Sequence, residues 1–232
     1  VADPSLRPGQ RILEAVGATR EAVGTNTNLG ILLLCVPLAC AAATDPADLG
    51  ASVEKALAAL DGDDTHAIYE AIRLASPGGL GSADNHDVRD EPQTGILEAM
   101  ALAADRDLIA RQYVNGFADV FETGLHALEA ARRAGETAMW PTVFAYLAFL
   151  ARFGDSHIRR KHGDAAAQRV RDEASIVLRT IEHVTDPDQR LETLLAFDRS
   201  LKEQDFNPGT SADLTVATYF SGEIRKLSAV KR

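Results

Sequence analysis

Thiols, long apolar runs and alternating patterns are all scarce in this chain. It carries two cysteines, Cys35 and Cys40, among 232 residues. So few thiolates exclude a structural zinc site. Five apart on one helix, the two point to different faces and do not bridge, so buried free thiols of a reducing, cytoplasmic compartment are expected. The longest apolar run, Ile31 to Ala43, is broken by Pro37 and falls short of the roughly 20 residues that a bilayer needs. It reads as a buried core helix, and no membrane partner is expected. No signal-peptide pattern opens the chain. No strand alternation, hairpin signal, coiled-coil heptad or internal repeat is found. The formal net charge of −10 argues against coating nucleic acid or an anionic membrane. It leaves open a phosphorylated small ligand, which needs only a local cluster of Lys, Arg and backbone N–H groups.

What is present is helical periodicity almost throughout. Helices are expected over Arg11 to Val23, Ala47 to Leu60, Asp64 to Ala75 (capped by Asp63 or Asp64), Gly95 to Ala103 and Arg106 to Tyr113. A further one over Asn115 to Arg133 places Phe117, Val120, Phe121, Leu125 and Leu128 on one face. Ala138 to Phe153 carries Pro141 in its first turn, and Ala165 to Val184, Asp188 to Glu203 and Ser211 to Leu227 complete the set. The expected fold is all-α, one multi-helix bundle domain of about ten helices over the whole chain. Trp140 is expected in the core, and a homodimer is one expectation for the assembly.

Four polar blocks do not read as passive connectors. In GTNTNLG, the residues Thr25, Asn26, Thr27 and Asn28 sit directly before the apolar run. One cap suffices for a helix N-terminus, so four such side chains fit either an internally bonded capping cluster or a site for phosphate and sugar oxygens. Ser76 to Pro92, SPGGLGSADNHDVRDEP, is long for a plain loop. Its Gly78 and Gly79 allow close backbone approach. Its Asp84, His86 and Asp87 offer oxygen ligands for Mg²⁺ or a general base, or form an acidic surface loop. In DSHIRRKHG, Arg160 and Lys161 suit a phosphate chain, or simply a helix C-terminus before Gly163. In NPGTSADL, Asn207 opens a turn, Thr210 or Ser211 caps the next helix, and Asp213 follows in its first turn. Those residues could equally surround a phosphate and its metal.

In this order the blocks resemble the triphosphoribosyl-dephospho-CoA synthase family, from about Ser5 to Phe220, with GTNTNLG and NPGTSADLT the most specific parts. The resemblance implies an all-α pentosyltransferase that joins ATP to 3′-dephospho-CoA and releases adenine. The product is a prosthetic-group precursor. It implies Mg²⁺ held by Asp84, Asp87 and Asp213, which with His86 also supply the acid–base groups. Arg160 and Lys161 neutralise phosphates. Thr25, Asn26, Thr27, Asn28, Gly78, Gly79, Asn207, Thr210 and Ser211 contact ribose or phosphate oxygens.

Two departures are visible. The family's upstream Lys-Pro-Gly-Asn-type segment is missing, and since the chain begins with Val1 in a linker-like stretch, a preceding segment is expected. The first block also resembles a branch with Thr-Asn-Thr-Asn where namesake enzymes read nearer to Asn-Thr-His-Lys. That leaves two alternatives: another acceptor, as in tetrahydromethanopterin or methanofuran biosynthesis, or a nucleotide-binding helical protein without catalysis.

Overall fold

A computed structural model of the chain describes residues 3, 5–25, 28–75 and 94–230. Among them there are twelve α-helices and no strand, so the fold is all-α as expected. The chain divides into two compact units, Val1–Ala118 with Phe220–Arg232, and Asp119–Tyr219.

The first unit holds α1 (Pro8–Val23), α2 (Leu29–Thr44), α3 (Leu49–Ala58), α4 (Gly62–Ala75), α5 (Ile96–Ala103) and α6 (Leu108–Asn115). Its centre is α2, where Leu32, Leu33, Leu34, Val36, Leu38 and Ala41 are all buried. Among the described residues no single helix is long and apolar enough to cross a membrane. Pro37 lies inside α2 and supplies no N–H to the carbonyl of Leu33, four residues back. The Tyr113 hydroxyl, reaching in from α6, donates to that carbonyl at 2.7 Å. A tyrosine thus supplies the hydrogen bond that the proline removes. Burial pushes the Tyr113 phenol far up, so it stays a donor. The two cysteines form no disulfide and are half-buried rather than fully buried.

The first turn of α1 packs on α4 without a side chain between them. A Cβ on Gly9 would stand 2.6 Å from both Cα and the carbonyl oxygen of Asp64, and the Gly9 N–H donates to Asp64 Oδ1 at 2.8 Å. Asp64 is therefore a buried contact inside α4 and not its cap. The cap is Asp61, whose Oδ1 accepts from the N–H groups of Asp63 and Asp64 at 3.0 and 3.2 Å.

The second unit holds a π-helical segment (Asp119–Leu125), α7 (His126–Arg133), α8 (Trp140–Phe153), α9 (Ser156–His162), α10 (Asp164–His183), α11 (Pro187–Glu203) and the first half of α12 (Gly209–Val230). The single helix expected over Asn115 to Arg133 is thus interrupted. Gly116 ends α6 in the left-handed conformation, Phe117 follows with φ 65°, and the π segment comes next. A π turn brings residues five apart onto one side. Val120 and Leu125 are both buried by it. It also turns Gly124 against α8 and α12, where a Cβ would overlap Thr218 Oγ1 and reach within 2.7 Å of Phe149 Cε2.

Leu147, Leu150, Val170, Ala174, Ile181, Phe197 and Leu201 form the core of this unit, built by α8, α10 and α11. Arg190 of α11 is buried. Its guanidinium lies 4.1 Å over the Trp140 ring and 5.3 Å from that of Phe144, with Nη1 2.9 Å from Glu136. Trp140, expected in the core, is half-buried beneath this cation. A delocalised guanidinium is weakly hydrated, which is why Arg rather than Lys fits here.

Candidate functional site

Two of the four polar blocks fold together within the second unit, and one carboxylate joins them. Gly154, with φ 72°, closes α8, and Asp155 in extended conformation starts α9. Asp155 Oδ1 accepts from the N–H groups of His157 and Ile158 at 2.8 and 3.1 Å. Its Oδ2 accepts from the N–H and the Oγ–H of Ser211, both at 2.8 Å. One side chain, 0 % exposed, therefore caps both α9 and α12. Next to it the Ser156 hydroxyl donates to Thr210 Oγ1 at 3.0 Å. Burial raises the Asp155 carboxyl above its usual value, against the pull of its bonds to Ser211, Ile158 and His157.

The cap expected from Thr210 or Ser211 thus comes from Asp155, 56 residues earlier in the chain. Ser211 is fully buried and commits both its N–H and its hydroxyl to that carboxylate.

The polar face of this junction is formed by α9. Arg160 Nη2 lies 3.1 Å from His157 Nδ1. Lys161 Nζ lies 2.8 Å from Asp205 Oδ2, and that bond together with the Lys161 charge lowers the Asp205 carboxyl. Asp205 takes a left-handed conformation after α11, φ 54°, which turns Phe206 inward under the edge of His162, ring centroids 4.9 Å apart. A Cβ on Gly209 would be 3.9 Å from both His157 Cγ and Asn207 Nδ2, so the imidazole and the exposed Asn207 flank the start of α12. Desolvation and then the Arg160 charge hold the His157 imidazole below its usual range, and Lys161 and His162 add to this against Asp155. On another side of α9 a cavity of about 350 Å³ is lined by Phe153, Gly154, Arg159, Gln168 and Arg171, with Arg159 Nε 3.3 Å from Asp164.

Arg160, Lys161, Asn207, Thr210 and Ser211 are therefore gathered at one junction, and Asp213 is half-buried in the early part of α12. In the first unit Thr25 is exposed. Asn28 stands at the N-cap position of α2, yet its side chain makes no capping bond and donates to Thr19 Oγ1 at 2.9 Å. Asn26, Thr27, Gly78, Gly79, Asp84, His86 and Asp87 lie outside the described residues. Among the described residues no three His, Cys, Asp or Glu side chains converge so as to hold a metal. The Asp155 oxygens are already committed to four N–H and O–H donors, which does not suit them to a cation.

Asp155 and His157 are the residues that the sequence pattern did not single out. An Asp directly before a short polar helix is a legible N-cap signal. That it caps a second helix is not legible.

The profile of the family described as ATP:dephospho-CoA triphosphoribosyl transferase matches residues 3–232. No curated protein sequence matches. Three solved chains match in structure. One is a crystal structure from Archaeoglobus fulgidus, provisionally assigned as a triphosphoribosyl-dephospho-CoA synthase. It is 26 % identical, with TM-score 0.72 over 94 % of this chain and 89 % of that one.

Proposed function

The chain belongs to the ATP:dephospho-CoA triphosphoribosyl transferase family, a family of transferases, and from that premise we propose that it transfers the triphosphoribosyl group of ATP to 3′-dephospho-CoA or a related acceptor. The N-glycosidic bond from ribose C1′ to adenine breaks and a bond from C1′ to an acceptor hydroxyl oxygen forms. The hydroxyl proton leaves and adenine departs protonated. Such a displacement passes through an oxocarbenium-like state.

The observation that carries this reading is the double cap by Asp155. It holds the Arg160–Lys161 turn and the Asn207 turn in one place, within a chain matched by the family over nearly its whole length. The triphosphate is retained in the product, so its charge must be met throughout the reaction. Arg160 and Lys161 meet it, Asn207 binds its oxygens, and Thr210 and Ser211 keep that turn in place. Mg²⁺ enters with ATP as part of the substrate. Asp213 is proposed as a carboxylate of the reacting centre, and Asp84, His86 and Asp87 are proposed as its further acid–base groups from the family resemblance alone.

The test is adenine release from Mg-ATP, with and without 3′-dephospho-CoA. Release that depends on dephospho-CoA is expected. Intact ATP binding without release under either condition overturns 3′-dephospho-CoA as the acceptor, and the same result across one-carbon cofactor precursors overturns the transfer itself. Asp213→Asn with undiminished turnover removes that residue from the scheme, and Asp87→Asn serves likewise for the loop.

A further inference from the structure

We propose that His157 is a ligand-contacting residue of this site, acting as a neutral imidazole that donates its Nε2–H to an oxygen of the bound phosphorylated ligand, with Arg160 fixing the tautomer. The argument begins with what a guanidinium can do. It has five N–H donors and no acceptor. Arg160 Nη2 lies 3.1 Å from His157 Nδ1. Nδ1 must therefore accept, and the single proton of the neutral ring must be on Nε2. Among the described residues Nε2 has no hydrogen-bond partner, although the ring is half-buried.

The charges around the ring agree. Arg160, Lys161 and His162 on α9 disfavour a cationic imidazole, and desolvation does so more strongly. Asp155 is the opposing charge, but its oxygens are committed to backbone N–H groups and Ser211. A neutral imidazole so placed is a donor to oxygen and not an acid that could protonate a leaving base. The ring stands beside Gly209, at the turn proposed to bind phosphate oxygens. His157 thus adds a directional donor to a cluster of diffuse positive charge.

This inference rests on the proposed phosphate site, and its test does not depend on turnover. In ligand-free protein, ¹⁵N correlation spectra of the histidine rings should show His157 with a bare Nδ1 and a protonated Nε2 at neutral pH. Arg160→Met should release that preference and raise the His157 titration. Those two changes test the Arg160 contact, and the response to ligand separates a ligand-contacting His157 from a merely structural one. On adding inorganic tripolyphosphate, the Nε2 resonance of His157 should shift saturably. His157→Phe should weaken tripolyphosphate binding roughly tenfold to a hundredfold, the range for one hydrogen bond to a charged group, whereas His157→Gln keeps an N–H near Nε2 and should recover most of it.

An Nδ1–H tautomer in the free protein overturns the proposal, as does a His157 ring indifferent to tripolyphosphate. Equal affinity of His157→Phe and wild type also overturns it. Absence of adenine release with dephospho-CoA and with the related acceptors, together with a responsive His157, would defeat the transferase reading while leaving this one standing.

Discussion

Tyr113→Phe removes one hydroxyl, and the structure says what that hydroxyl does. It donates at 2.7 Å to the carbonyl of Leu33, which Pro37 cannot serve. Both residues are at least nine-tenths buried, Leu33 at 5 % and Tyr113 at 4 % exposure, so water does not replace the lost donor. A buried carbonyl left without a partner costs about 1–3 kcal/mol. For a chain of this length that corresponds to a fall in melting midpoint of roughly 2–4 °C per kcal/mol. The decisive version is a double-mutant cycle. Pro37→Ala restores an N–H four residues beyond Leu33, so in that background Tyr113→Phe should be nearly neutral. A coupling of about 1–2 kcal/mol is expected, within the range of directly interacting groups. Urea unfolding followed by far-ultraviolet circular dichroism measures all four proteins. If Tyr113→Phe destabilises equally with Pro37 and with Ala at that position, the hydroxyl is not substituting for the missing amide and the reasoning fails.

Asp155→Asn should destabilise by about 2–4 kcal/mol, because one carboxamide oxygen cannot serve donors on two sides and its NH₂ would confront those of Ser211. The native carboxyl titrates higher folded than unfolded, so the folded state holds the proton more tightly and its contribution is present at low pH and lost as pH rises through the raised value. The stability gap between wild type and Asp155→Asn should therefore widen as pH falls from neutral towards 3.8, and a gap that narrows contradicts the assignment. Gly124→Ala should destabilise by about 1–3 kcal/mol or more, since the methyl would overlap Thr218 and Phe149, and unchanged urea midpoints would refute that packing. Lys161→Ala breaks only an exposed pair with Asp205, so its melting midpoint should match wild type while its KM for ATP rises several-fold. An unchanged KM would remove Lys161 from the phosphate site.

Much of the helix pattern was readable because helical periodicity is local. The stripe on α10, the Pro141 start of α8 and the end of α6 near Asn115 all follow from side chains three or four residues apart. The departures came where a tertiary partner changed the local rule. The π segment at Asp119–Leu125 buries Val120 and Leu125 together, a spacing of five that an α-helical stripe does not anticipate. Asp64 looked like a cap and became a buried partner of Gly9. Trp140 looked like core and became the seat of Arg190.

The candidate site divides in the same way. Composition and periodicity by themselves determined the all-α class, and the four polar blocks marked where chemistry could lie. Those are properties of short windows, governed by backbone hydrogen bonds four residues apart and by the faces that they expose. Only the tertiary structure decided that DSHIRRKHG and NPGTSADL are one feature. Asp155 and Ser211 stand 56 residues apart, and a shared carboxylate between two helix N-termini leaves no periodic trace in either helix. The tautomer of His157 was likewise undecidable from its neighbours in sequence. It depends on where the Arg160 fork comes to rest in space, and a donor-only group against a ring nitrogen permits one answer.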